Sequence, residues 1–424
     1  MTNLIDTIAA GPSAPLLAHR ATTAHVGAAY PWMAEAGLGS RGVYIGRDLH
    51  GGAFCVDPWV LYPSIITGPN MIVIGELGRG KSSLVKTYIW RQSVFGRRTL
   101  ALDPKGENTR LCEALGVQPI RLQFGGDVRL NPLDPQIAGD VLGPDRLRQE
   151  QLAVLVAVGA ASLGRRLRSP ETTALELALS QAGRDRQQPT LRDVVEALLR
   201  PSSEDAAAVA TSSERLAEDG REAALALRGM CDGHLRGMFD GPTTEGLGLD
   251  GPLVSLDLSA VFHSEALGIL MVCAAAWLQR TLARDTRHRR LVVIDEAWAI
   301  LRDLQIARWM ASSFKLSRAL GVQMIAVFHR VSDLTATGTA GSEQVELAKG
   351  LLSDSSTQVI YQQPSSELEQ TRQVLRLSEA EAHEVLYLPR GDALWRVGDR
   401  RFKVRHQLSP VERWIVDTDE RMTT

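Results

Sequence analysis

A chain of 424 residues, 44% apolar and 23% charged, has the make-up of a folded globular protein, either one large domain with an insertion or two ordinary domains. Its formal net charge of −2 excludes a protein that is basic overall, so any contact with nucleic acid or an acidic membrane surface must be local. Four scattered cysteines (Cys55, Cys112, Cys231, Cys273) with no CxxC pair speak against a disulfide framework or a structural zinc site and fit a reducing compartment.

Cys231 and His234 fall on one helix face, but two potential ligands do not make a metal site. The N-terminus shows no basic leader followed by a long apolar core. The apolar runs around Leu152–Leu163 and Ala266–Leu278 fall short of the roughly 18–20 residues that cross a bilayer and read as buried helices. The expectation is a cytoplasmic protein that reaches a membrane, at its inner face, only through partners.

Residues 1–42 are rich in Ala, Gly and Pro and form a poorly defined extension. VYIGRDLHGGAFCVDP, from Val43, predicts a hairpin turning at Gly51-Gly52. MIVIG (Met71–Gly75) reads as a buried strand and SSLVKTYIWRQSV as the helix after it. RRTLALD (Arg97–Asp103) is a second buried strand, from which DPKGE turns the chain into another helix. Across 140–240 Ala, Leu, Arg and Glu recur at helical spacing, broken at RSPE and QQPT, which predicts an all-helical insertion. Strands return at PLVSLDL (Pro252–Leu258), LVVID (Leu291–Asp295), VQMIAVF (Val322–Phe328) and TQVIY (Thr357–Tyr361). Helical stretches at Glu265–Ala283, Leu304–Leu320 and Glu343–Leu352 separate them, and ALWRVG with RFKVRH forms a closing hairpin. Short buried strands alternating with helices predict an α/β fold with a mainly parallel sheet covered on both faces. The expected division is an extension (1–42), a first α/β part (43–139), the helical insertion (140–240) and a second α/β part (241–424).

Only six of the 47 Lys plus Arg residues are lysine, and one of them, Lys81, closes a glycine-rich turn. Gly75-Glu-Leu-Gly78-Arg79-Gly80-Lys81-Ser82 fits G-x-x-x-x-G-K-[ST] between a strand and a helix, the context a phosphate-binding loop requires. Glycines let the backbone N–H groups wrap phosphate oxygens, and the helix N-terminus adds positive potential. Lys81 brings a compact charge that arginine's planar fork cannot match between phosphates. Ser82 offers a hydroxyl to Mg²⁺, with Ser83 beside it. LVVIDEAW adds an apolar strand that delivers Asp295 to the metal and Glu296 to the attacking water. Together these pieces read as a site for ATP and Mg²⁺.

With these pieces placed, the chain resembles the conjugative type IV secretion ATPases, the TraC-like proteins and the fourth VirB subunit, within the FtsK/HerA group of ring-forming P-loop motors. GELGRGKSS, LALDPKGE, RLNPLD, LVVIDEAWAIL, SRALGVQMIAVFHRVSDL and LPRGDALW carry the resemblance from about Val43 onward. It implies a RecA-like P-loop domain with an inserted helical bundle, assembled as a hexamer with nucleotide between subunits and acting with other secretion or conjugation components on DNA. Arg318 matches the position of a finger reaching a neighbour's γ-phosphate, a contact able to contribute roughly 10³–10⁵ in rate; the alternative is a solvated cation at a helix end. His329 stands where the family usually carries glutamine, with Arg330 as a possible substitute. Glu107 falls at an acidic family position; it either assists the catalytic water or caps a helix start.

The family usually carries a substantial domain ahead of the motor, whereas about seventy residues precede the P-loop here. The basic face of Arg401, Lys403 and Arg405 reads first as a charged guard on an edge strand, with contact to DNA or a neighbour's nucleotide as the alternative. Two further readings stay open: a HerA- or FtsK-like DNA pump, and a structural subunit gated by nucleotide with little turnover.

Overall fold

Apolar residues alternate along the strands, and alternate ones enter opposite faces of a single sheet. In β3 (Met71–Ile74), Met71 and Val73 join one core cluster while Ile72 and Ile74 join the other. The computed structural model describes residues 37–49, 51–134, 143–233, 235–247, 250–262, 267, 269–271, 273–274, 288–301, 304–335 and 342–417. Most of the predicted helix over 265–283 and most of the extension 1–42 lie outside the described residues; 267, 269–271 and 273–274, which are described, are helical.

Among the described residues there is one 11-stranded sheet, ordered β2-β1-β11-β10-β9-β3-β8-β7-β4-β6-β5. The strands not yet placed are β1 (Val43–Asp48), β2 (Ala53–Val56), β4 (Arg98–Asp103), β5 (Ile120–Arg121), β6 (Leu253–Asp257), β7 (Arg290–Ile294), β8 (Val322–Phe328), β9 (Thr357–Ile360), β10 (Asp392–Val397) and β11 (Arg400–His406). From β9 to β5 every neighbouring pair is parallel; from β9 to β2 every pair is antiparallel. The mainly parallel α/β fold and the closing β10–β11 hairpin are therefore both present. β5, only two residues long, is too short to show a period and was not expected.

One expectation is corrected. β11 is no edge strand: it lies between β10 and β1, so its charges guard no free edge. Arg401 pairs with Glu381 at 2.8 Å, Lys403 with Glu384 at 3.3 Å and Arg405 with Asp392 at 2.8 Å, so the basic face is compensated within the chain.

Between β5 and β6 the chain forms helices Pro144–Leu163, Ser169–Asp185, Leu191–Leu199, Ser203–Ala208 and Ser213–Asp232, the predicted all-helical insertion. Thr190, Ser202 and Ser212 cap their helices by accepting a backbone N–H, a signal already present in the sequence. Gly220 permits a close helix crossing, because a Cβ there would stand 2.9 Å from Leu198 Cδ2 and 3.1 Å from Ala174 Cβ. Buried Glu171 accepts the Arg168 backbone N–H at 2.7 Å and pairs with the Arg165 and Arg168 guanidiniums, fixing the turn between the first two helices. Cys231 is buried on the last of these helices, and His234 lies outside the described residues. No described helix is long and apolar enough to cross a membrane.

Candidate active site

Parallel strands deliver their C-terminal ends to one side of the sheet, and the order β3-β8-β7-β4 lines up the predicted site. From β3 the chain enters the Gly75–Gly80 turn and then helix Lys81–Ser93. Gly78 and Gly80 take φ of +76° and +113°, which L side chains seldom adopt. The backbone N–H groups of Gly78, Arg79 and Gly80 find no acceptor among the described residues, so the turn is a cradle of donors at a helix N-terminus. The turn is seated by Gly75 N–H to Phe328 O (3.3 Å), Glu76 N–H to Gln362 O (3.0 Å) and Gly391 N–H to Arg79 O (3.0 Å). The Arg79 side chain pairs with Glu76 at 2.8 Å. Lys81 is buried and folds back, donating to the Gly75 and Glu76 carbonyls at 2.5 and 2.9 Å. Burial lowers its pKa to about 8.

Ser82 and Asp295 line one cleft with Lys86, walled by Val85, Leu102 and Val327. A hydroxyl and a carboxylate are hard oxygen donors of the kind Mg²⁺ takes, so these residues fit that ion. Burial, then the charge of Glu296, raises the Asp295 pKa to about 6. Ser83, half-buried on the next helical position, is not among the residues of that cleft.

Asp295 accepts the Glu296 N–H at 2.9 Å, and Glu296 takes a left-handed backbone conformation with φ 50° and ψ 39°. A non-glycine residue there is uncommon, and such strain collects at functional sites. The Glu296 carboxylate is 2% exposed and fully engaged. Lys105 and His329 share Oε1, the latter through Nε2 at 2.6 Å, and Trp298 Nε1–H donates to Oε2. Burial alone would raise this carboxyl; hydrogen bonds from His329 and Lys105 hold it down at about 2. An ionised carboxylate has no proton to give, so His329 Nε2 donates, while its buried Nδ1 has no partner among the described residues.

Glu107 stands one shell away. Its N–H and that of Asn108 are accepted by Asp103 at 3.1 and 2.8 Å, and its carboxylate lies 3.8 Å from Lys86 Nζ. Arg330 is exposed beside His329. Arg318 is not brought to the site: it is exposed in the last turn of helix Leu304–Leu320, which enters β8 from the opposite end. The length of β8 separates it from its own P-loop by roughly 20 Å.

Lys86, Lys105 and Trp298 are site residues that motif reading did not single out. Lysine scarcity was the available signal: Lys81, Lys86 and Lys105 are three of only six lysines in the chain, and all three gather here.

Several solved structures share this fold. VirB4 of Thermoanaerobacter pseudethanolicus is 22% identical, with a TM-score of 0.72 over 89% of this chain and 100% of that one. The plasmid coupling protein TrwB matches in complex with the ATP analogue ADPNP (18% identity, TM-score 0.55, 80% of this chain and 86% of that one). TrwB with ADP and Mg²⁺ also matches (16%, TM-score 0.52, the same shares of the two chains). No curated protein sequence matches the chain. A family model described as an AAA-like domain matches residues 64–348, the greater part of the chain and the part that holds the glycine turn, Asp295 and Glu296. The chain therefore belongs to the AAA-like domain family, the FtsK/HerA-like P-loop proteins.

Proposed function

We propose that the protein is a Mg²⁺-dependent ATPase that powers conjugative DNA transfer or a related type IV secretion step as a ring-forming, hexameric motor. The observation that carries this reading is the convergence of Lys81 and Ser82 with Asp295 and Glu296 at the carboxyl ends of β3 and β7. The complexes of TrwB with ADPNP and with ADP and Mg²⁺ support ATP and Mg²⁺ as ligands. Likeness to VirB4 and to a conjugative coupling protein supports the biological setting. Secretion or conjugation components are the expected partners, DNA the candidate cargo, and the inner face of the membrane the place of work, reached through those partners.

In this reading Lys81 exchanges two neutral carbonyls for anionic phosphate oxygens, a stronger pairing for a buried ammonium. Mg²⁺, held by Ser82 and Asp295, would neutralise phosphate charge. Glu296 orients and polarises the attacking water, His329 steadies Glu296 in place of a family glutamine, and Glu107 supports that side of the site. Arg318, remote from its own P-loop, serves the site of the next subunit.

The threefold engagement of Glu296 favours one other reading, a structural subunit that binds ATP and barely turns it over. Glu296→Gln separates the two. A working hydrolase loses turnover by about 10²-fold or more and still binds ATP, at least as tightly as the wild type. Unchanged turnover contradicts the role given to Glu296, and wild-type binding without turnover supports the structural subunit. Pulling on single- and double-stranded DNA separates a secretion motor from a HerA- or FtsK-like pump.

A further inference from the structure

We propose that Lys105 is a positioning residue that senses the outermost phosphate of the bound nucleotide and so sets when Glu296 is released to act; the proposal rests on the ATPase reading above. Glu296 stands two residues past the end of β7, whose neighbours are β4 on one side and β8 on the other. Lys105, two residues past the end of β4, reaches the carboxylate from one flank, and His329, one residue past β8, reaches it from the other. Trp298 closes the second oxygen. Held by three donors, the carboxylate has little capacity left to accept a proton from water.

The three donors are not equivalent. His329 and Trp298 are anchored by their ring frames and their places beside β7 and β8. Lys105 ends a flexible four-carbon stem with three rotatable N–H donors, and it is one third exposed (34%) whereas Glu296 is 2% exposed. It is therefore the member of the network that opens toward solvent. Its charge is felt by Lys81, so the two ammoniums serve one site.

A nucleotide's outer phosphate offers Lys105 more negative charge than a carboxylate already shared with His329. Its ammonium would move to that phosphate, leaving Glu296 aimed by His329 and Trp298 but no longer charge-neutralised. A nucleotide lacking the outer phosphate leaves the lysine where it is. Lys105 would thus couple triphosphate recognition to release of the glutamate.

The test compares ADPNP with ADP on the full chain, by calorimetry and by indole emission, with Trp298→Phe used to assign the Trp298 signal among the eight tryptophans. In the wild type ADPNP, and not ADP, changes the Trp298 signal. In Lys105→Met that response disappears and the preference for ADPNP over ADP falls by about tenfold or more, while ADP affinity stays within about twofold. Lys105→Arg restores part of the preference. Glu296→Gln, which removes the competing charge, tightens ADPNP several-fold without tightening ADP and gives a second measurement should Lys105→Met fold poorly. If Lys105→Met keeps both the preference and the Trp298 response, or if Glu296→Gln leaves the ratio unchanged, the proposal is overturned and the ATPase reading stands. A wild type that binds neither nucleotide overturns both.

Discussion

Gly75 is required by space and not by backbone angle. A Cβ there would stand 2.4 Å from Tyr361 Cβ and 3.2 Å from its Cα, and neither atom can move without moving β9's end. Gly75→Ala should therefore displace the start of the turn, lowering the melting temperature by a few degrees, the consequence of about 1–3 kcal/mol of overpacking, and weakening ATP at least tenfold. A melting curve and ATP isotherm that overlay those of the wild type would contradict this. The turn was legible in the sequence because its pattern is continuous: strand, glycines, lysine, serine, helix. The ring of donors around Glu296 was not, since Lys105, Trp298 and His329 leave from different strand ends and meet only through the order β4-β7-β8. The αL conformation of Glu296 is equally silent in sequence, because glutamate carries no marker for it.

At the scale of elements, β11 is tied to the P-loop helix by His406, whose Nε2 lies 3.0 Å from Thr87 Oγ1. Burial, with Arg91 beside it, lowers the His406 pKa to about 4 from 6.5. The folded form keeps this ring neutral while the unfolded chain takes up a proton from about pH 6.5 downward. Its contribution to stability is thus present above pH 6.5 and is lost as pH falls toward 4. Melting temperature should fall across that window in the wild type and fall less steeply in His406→Gln; parallel slopes would remove His406 as a cause.

Most long elements could be read from period and composition, and Leu304–Leu320 has the expected bounds. Helices Leu368–Leu375, Glu379–Leu386 and Pro410–Val416 were missed. The last two carried a usable signal, Ser378-x-x-Glu381 and Ser409-x-x-Glu412, in which each serine accepts from and each glutamate returns to the other's backbone.

Across the whole molecule, the pairing that joins the two ends of the described chain is β1 with β11, Gly46 opposite His406. Neither strand announces the other, because pairing across more than 350 positions leaves no local pattern. That pairing is what turned an expected edge strand into an interior one. The same sheet holds Arg318 at the end opposite the P-loop, so a site that uses this arginine needs a second copy of the chain.

The measurement that tests this account most directly is steady-state ATP turnover per protomer across a wide range of protein concentration, with Lys81→Ala as the blank. Sites completed by a neighbour's Arg318 predict turnover per protomer that rises with concentration, and partial recovery when Arg318→Ala and Lys81→Ala chains are mixed. Turnover that never leaves the blank while ATP binds, or that is independent of concentration with no recovery on mixing, would contradict an ATPase built between subunits.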